Sequence, residues 1–562
     1  MEPVEYVVTL HKGVDMQQFY DDMETHGGDA CVPDRCCEVC RRRPISRNTH
    51  YYLTDQEAAD LKKDPRVIAV MMTPDKYDAY PRPKYDPYTI TNETFRKDGT
   101  FVSTDRSWAH LHCAGDDPQR RKGSWGSGTV TDTVSVFGDG ADVDVVIVDS
   151  AMSYDHVEWL SPSTGQSRFV QYQWLDELNQ YVTSIDDDGE TPQTGTLQYL
   201  PSNNNSNGSH GTHVGGTVAG AHYGWANEAT IYNLDIFGDT PLQEGGVFDP
   251  PTLLIFDYLR AFHRHKGNNR PTITNHSWGY STDWTGYLGT WFDGKIDDIN
   301  WIDVDDGQGN VTRYSASNPP ARGWNTNVIC QDIGLDGAEI PYDYPAIRAD
   351  VEDAIEDGVV VIGAAGNENY YCHSTANKTR VQIDIGTGST RTAYAHRGMS
   401  PNNAAGAINV GALKHTDDFR RTDFSNYGPM IDVFAPGEEI VSAWIGSATA
   451  FNDIQGTSMA SPQVAGVAAC LASGKTRFTN KDVLAYIKNH CKHGDMGFDL
   501  GGAPDWYKTP GDFCDVTCQK GSPNTYLLAT SPRPATGFTS PNVGDRESQP
   551  QAYPRPSTMF RT

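Results

Sequence analysis

No stretch of the 562 residues approaches eighteen consecutive apolar side chains, so no membrane-spanning helix is expected. Positive charge is also scarce. Against 45 Lys and Arg stand 73 Asp and Glu, a formal net charge of −28, which argues against nucleic acid or an anionic membrane as partner. The opening Met1-Glu2-Pro3-Val4-Glu5-Tyr6 lacks a basic segment followed by an apolar one. No secretory signal is therefore expected, and the cellular address stays open. No internal repeat is found. Neither the His-Glu-x-x-His zinc peptidase pattern nor a twelve-residue EF-hand loop is present. Eleven cysteines is an odd number, so a monomer with only internal disulfides keeps at least one thiol.

What the chain does contain is a hydroxyl at the mouth of an apolar helix. Gly456-Thr457-Ser458-Met459-Ala460-Ser461-Pro462 runs into the apolar stretch Val464 to Leu471. Unpaired backbone N–H groups and the positive end of the helix dipole concentrate at such a start. That suits a nucleophile whose reaction builds up an oxyanion. Gly456, Ala460 and Gly466 are small enough to let another backbone approach. Read alone, Thr-Ser before a helix is an ordinary cap. Two upstream segments argue for chemistry. Val145 to Val148 is a continuous β-branched run, expected to be a strand buried on both faces of a parallel sheet. It leaves Asp149 at the carboxyl end, where ligand chemistry gathers in open α/β sheets. Asn207 to Gly220 passes from a polar loop into a small-residue helix, with His210 at its start and His213 on the same face. A His-x-x-His pair raises a metal-binding alternative. The zinc peptidase pattern, however, needs a spacing of four and an intervening Glu, whereas Gly211 and Thr212 stand here.

Asp149, His210 and Ser458 follow the chain order of the subtilisin triad. With Asp423 to Gly428 and Ala435-Pro436-Gly437 leading to Ser458, the sequence resembles a subtilisin-like serine protease (a subtilase), closest to the proteinase K branch. The resemblance implies an α/β fold, the subtilisin-like three-layer arrangement with a central parallel sheet. It implies a serine endopeptidase acting on proteins or peptides through an acyl-enzyme, with no cofactor in the chemistry. His210 would be the general base and Asp149 its orienting carboxylate. Upstream of Asn367, Ile347, Val351, Ala354 and Ile355 share one helical face; Gly358 ends that helix and Val359 to Ile362 is the next buried strand. The following Ala364-Ala365-Gly366-Asn367 matches the oxyanion segment of the family. Asn367 is the expected donor, the Ser458 N–H the second, and Gly366 a substrate-binding position. Thr272 to Gly279 matches the Ser-x-Gly strand that pairs with substrate backbone, making Ser277, Trp278 and Gly279 binding candidates. Glu368 is a candidate for the rim of the specificity pocket, favouring basic side chains. The rival reading is a catalytically silent subtilase fold kept as a binding or structural protein.

Four regions are expected. Residues 1–75 read as a small α+β (ferredoxin-like) unit: strands at Tyr6 to Leu10, Thr49 to Leu53 and Val67 to Met71, a helix through Phe19 and Met23, and a capping box at Thr54-Asp55-Gln56-Glu57. This unit is similar to the inhibitory propeptide of subtilases, which implies an autoprocessed zymogen, with the propeptide as intramolecular inhibitor, and a monomer. Residues 76–107 are expected to be a linker holding the processing site, 108–510 the peptidase domain, and 511–562 a disordered tail rich in Pro, Ser and Thr. Trp159 to Ser206 and Asp283 to Tyr344 read as surface insertions. Structural Ca²⁺ is expected from the family, with Asp186 to Glu190 and Asp303 to Asp306 offering hard oxygens but no assigned metal site. Cys31, Cys36, Cys37 and Cys40 crowd one insertion; zinc, free thiols and local disulfides all remain open, because adjacent Cys36 and Cys37 match no standard zinc module. Cys330 and Cys372 are a candidate bridge in an oxidising compartment.

Overall fold

The computed structural model describes residues 3–11, 13–25, 31–42, 47–72, 88–96, 105–113, 129–136, 138–182, 193–283, 300–305, 311–319, 339–341, 344–367, 372, 380–384, 390–394, 399–415, 421–428, 430–493 and 525–526. The chain divides into two compact units, residues 1–84 and 85–562.

In the first unit, β1 (Val4–Leu10), α1 (Met16–Glu24), β2 (Val39–Arg42), β3 (Asn48–Leu53), α2 (Asp55–Leu61) and β4 (Val67–Met72) follow one another. The sheet order is β2-β3-β1-β4 with every neighbouring pair antiparallel, the ferredoxin-like βαββαβ arrangement. Tyr6, Val8 and Leu10 alternate inward along β1 and meet Phe19, Tyr20 and Met23 of α1 and Leu61 of α2 in one core. Asp15 caps α1 by accepting the N–H groups of Gln17 and Gln18, and the Thr54–Glu57 capping box opens α2. Strand β2 was not foreseen. Val39-Cys40-Arg41-Arg42 has no apolar alternation and gains its conformation from pairing with β3.

The second unit is built on β5 (Asp144–Asp149), α3 (Ser209–Ala219), β6 (Thr230–Asp235), α4 (Ile255–His265), β7 (Thr272–His276), α5 (Pro345–Asp357), β8 (Val360–Ala364), β9 (Ile408–Leu413), β10 (Val433–Pro436) and α6 (Thr457–Ala472). Six strands pair in parallel in the order β10-β9-β8-β7-β5-β6. Their side chains are buried on both faces, as expected of a sheet covered by helices on either side. Pro345 starts α5, and Gly358 ends it in the left-handed conformation at φ 104°. Helix α6 is buried almost all round, so it runs through the protein interior. There is no room for a side chain at Gly466: a Cβ would sit 2.7 Å from the Val218 carbonyl of α3. The helices that bear His210 and Ser458 therefore touch backbone to backbone.

Four expected irregular stretches contain regular structure. Within 76–107, Tyr88–Arg96 is a strand paired antiparallel with Thr129–Val136, and its Phe95 is buried. The β-branched Thr89, Ile90, Thr91 and Thr94 in its sequence favour that conformation. Within Trp159 to Ser206, the helix Trp174–Val182 buries Trp174, Leu175, Leu178 and Val182 in the main core. Within Asp283 to Tyr344, the hairpin Trp301–Asp305 and Val311–Ser315 joins Arg380–Asp384 and Thr390–Tyr394 in an antiparallel sheet. The expected tail contributes Thr525–Tyr526, which extends the main sheet beside β10; its other residues lie outside the described ones.

Candidate active site

The chain leaves β5 for β6 at one edge of the sheet, then crosses back to lay β7 on the other side of β5. This reversal opens a crevice at the carboxyl ends of β5 and β7. Asp149 is the last residue of β5, and Ser277 follows directly after β7, where His276 pairs with Val148. His210 and Ser458 are each the second residue of a helix, α3 and α6.

The buried Asp149 Oδ1 lies 2.7 Å from His210 Nδ1. An ionised carboxylate only accepts, so Nδ1 is the donor and the neutral ring offers a lone pair at Nε2. Burial opposes a charged imidazole, but the charge of Asp149 and its hydrogen bond outweigh that effect and raise the His210 pKa above the ordinary 6.5. The ring remains 39% exposed, open to a substrate. Neighbouring polar groups fuse strand end to helix start. Ser150 Oγ accepts the Gly211 N–H at 2.9 Å, and Asn205 donates to the Ala151 carbonyl while accepting the Gly208 N–H. Asn233, buried in β6, donates to the carbonyls of Ile147 and Ser150 and accepts the Met152 N–H.

Ser458 is half-buried, and its hydroxyl donates to the Ser277 carbonyl at 3.0 Å. No hydrogen bond joins it to His210 in this arrangement. Asn367 stands just beyond β8, where its Oδ1 accepts both the N–H and the hydroxyl of Thr457, at 2.8 and 2.9 Å. These bonds fix the amide so that Nδ2 faces the other way. A Cβ built on Gly456 would lie 3.5 Å from the Ser458 nitrogen and 3.6 Å from Asn367 Nδ2. The two N–H donors thus border one small space. Gly456 itself adopts φ 154°, ψ 163°, a region that is essentially glycine-only. Gly366 donates its N–H to Thr457 Oγ1 at 3.0 Å, so it braces this loop from behind.

Beyond β7, the Trp278 carbonyl accepts from Asn402 and the Tyr280 N–H donates to the Ser400 carbonyl, both at 2.8 Å. The Ser277 carbonyl turns to the opposite side, where it accepts from the Ser458 hydroxyl. Trp278 is half-buried and meets Tyr280 edge-on, with ring centroids 5.6 Å apart. Gly279 packs against Met399 with no space for a Cβ.

A model of the subtilase family matches residues 140–502, more than half of the chain. The chain belongs to the subtilase family. Alkaline protease 1 of Aspergillus flavus is 25% identical over 440 residues, 76% of this chain and 77% of its own length. Subtilisin-like proteinase Mp1 of Magnaporthiopsis poae is 25% identical over 481 residues, covering 84% and 82%. Among solved structures, a cold adapted subtilisin-like serine proteinase covers 70% of this chain and 91% of its own, at 20% identity and TM-score 0.39.

In this subtilase His213 does not share a ligand with His210. Its Nε2 donates to the Ile440 carbonyl at 2.9 Å, and burial lowers its pKa to about 3. Of the acidic runs expected to offer calcium ligands, Asp186 to Glu190 and Asp306 lie outside the described residues. Asp303 is gripped by Arg313 through two bonds of 2.7 Å. Among the described residues no group of three or more His, Cys, Asp or Glu is placed to hold a metal ion. Cys31, Cys36, Cys37, Cys40 and Cys372 form no disulfide among the described residues. Cys330 and Glu368 lie outside the described residues. Sequence reading overlooked Ser150, Asn205, Asn233 and Thr457. A lone Asn in the apolar strand Thr230-Ile231-Tyr232-Asn233-Leu234 was the one visible signal.

Proposed function

We propose that Asp149, His210 and Ser458 form the triad of an endopeptidase that cleaves proteins through an acyl-enzyme. The 2.7 Å Asp149–His210 bond, beside the helix start that bears Ser458, carries this reading. The Ser458 hydroxyl swings from the Ser277 carbonyl to His210 Nε2, which takes its proton as the oxygen attacks a peptide carbonyl. Asn367 Nδ2 and the Ser458 N–H receive the resulting oxyanion. His210 then protonates the leaving amine, and water repeats the sequence on the acyl group. Substrate lies as an added strand along residues 277 and 279, its N–H taking the place of the serine hydroxyl at the Ser277 carbonyl. Trp278 borders that strand, while Gly366 supports the oxyanion loop. The match to relatives named as proteases supports proteins as substrates.

The first unit acts in this reading as an inhibitory propeptide, cut from the second within residues 76–107. Its ferredoxin-like order and its place ahead of the peptidase region support that role. A monomeric working form, an extracellular address and structural calcium with no assigned ligands are part of this reading, on the pattern of the family. The test is direct. The full chain and Ser458→Ala are purified and incubated with casein and with a serine-directed phosphonate. The wild type is expected to shed its first unit, cut casein and carry the label on Ser458, while Ser458→Ala stays whole. A wild type that does none of these leaves the silent binding scaffold as the better reading.

A further inference from the structure

Pro462 removes one hydrogen bond from α6. A helix closes by joining the N–H of each residue to the carbonyl four places earlier, and proline has no N–H. The carbonyl deprived here belongs to Ser458. It is not left bare: the Ser277 hydroxyl donates to it at 2.8 Å. The supporting groups are interior ones. Ser277 Oγ accepts from Asn275 Nδ2 at 2.8 Å and lies 2.9 Å from Ser461 Oγ, and all three residues are buried. The exchange is also reciprocal, since the Ser458 hydroxyl donates to the Ser277 carbonyl. Two bonds in opposite senses therefore tie one residue beyond β7 to one residue of α6.

We propose that Ser277 is a positioning residue for the nucleophile, its hydroxyl replacing the helix bond that Pro462 deletes. An ordinary helical bond would refer the Ser458 carbonyl only to its own helix. The side-on donor refers it to β7, whose neighbour β5 carries Asp149 and, through it, His210. Nucleophile and acid–base pair thus take their positions from adjacent strands of one sheet. The Ser277 hydroxyl, held by Asn275 and Ser461, touches the nucleophile residue through the Ser458 carbonyl. This inference rests on the proteolytic reading and adds a role to Ser277 beyond offering its carbonyl to substrate.

The test is a double-mutant cycle in the full chain, with ripened enzyme counted by phosphonate titration and kcat and KM measured on one peptide. Ser277→Ala is expected to lower kcat about tenfold with KM within about twofold. Ser277→Thr, which keeps the hydroxyl, is expected to recover most of the loss. Pro462→Ala returns an N–H to the helix, so in that background Ser277→Ala is expected to cost only about threefold or less. If Ser277→Ala does not yield folded protein, Ser277→Cys, a weak donor of similar size, is measured in the same cycle. Equal activity of Ser277→Ala and wild type, or the same fold-loss in both backgrounds, overturns the positioning role alone. A wild type that neither cleaves nor labels overturns the proteolytic reading itself.

Discussion

His210 is held between burial, which disfavours its charge, and Asp149, which favours it, and the carboxylate prevails. A raised pKa keeps the ring protonated to higher pH, and a protonated ring cannot take the Ser458 proton. The acid limb of kcat/KM is therefore expected to have its midpoint above pH 6.5. Asp149→Asn is expected to move that midpoint down and to lower kcat about 10,000-fold. The accompanying stability has the opposite pH sense. It is complete below the pKa of an unfolded histidine and fades as pH rises through the folded value. Asn367→Leu is expected to reduce kcat by about 100- to 1,000-fold with little change in KM, read from steady-state kinetics. Gly456→Ala is expected to resemble it, because the new methyl strains the backbone and lies beside both N–H donors. Normal kcat in Gly456→Ala would place the oxyanion elsewhere.

Helices and strands carry the longer-range forces. At the end of β5 remote from Asp149, the buried Lys266 ammonium meets Asp144 at 2.7 Å and also donates to the Arg270 carbonyl and Thr272. Lys266→Met would leave the Asp144 charge without its closest partner. It is expected to cost about 3–5 kcal/mol of stability, read as a fall in melting temperature, with the wild-type triad chemistry retained at low temperature. In the first unit, Arg35 holds Glu57 down to a pKa of about 2, and Arg66 bonds both Asp22 and the buried Asp64, whose values are also lowered. Depressed carboxylates stabilise above their unfolded pKa and lose that effect as pH falls through the folded one. In the uncut Ser458→Ala chain, the protection factors of amides in residues 3–72 are therefore expected to fall between about pH 4 and pH 2. Protection factors unchanged across this window would show that these pairs contribute nothing. The same scale explains what sequence reading could reach. β5, α5 and β8 were legible because short apolar runs and end signals such as Gly358 are local. β2 was not, because Val39-Cys40-Arg41-Arg42 has no apolar alternation and takes its order from pairing with the next strand; the strand Tyr88–Arg96 and the helix Trp174–Val182 were not, since partners farther along the chain order them. Asp149, His210 and Ser458 stood out through their immediate neighbours. Asn233 and Thr457 did not, because their bonds join residues 81 and 90 positions apart.

For the whole molecule, the formal charge of −28 sets a long-range field. Peptides rich in Lys and Arg are expected to lose kcat/KM as ionic strength rises, while neutral peptides of equal length change little. Equal salt slopes would show that the field does not reach the crevice. One apolar cluster, meanwhile, runs from Trp108 to Cys491 and takes in the sheet together with α3 and α6. A region sharing a single interior has few ways to open in part, and a molecule that does open presents its peptide bonds to intact copies around it. Heat inactivation then becomes a collision between enzymes. Dilution should lengthen the half-life, and Ser458→Ala should survive a heating cycle that consumes the wild type.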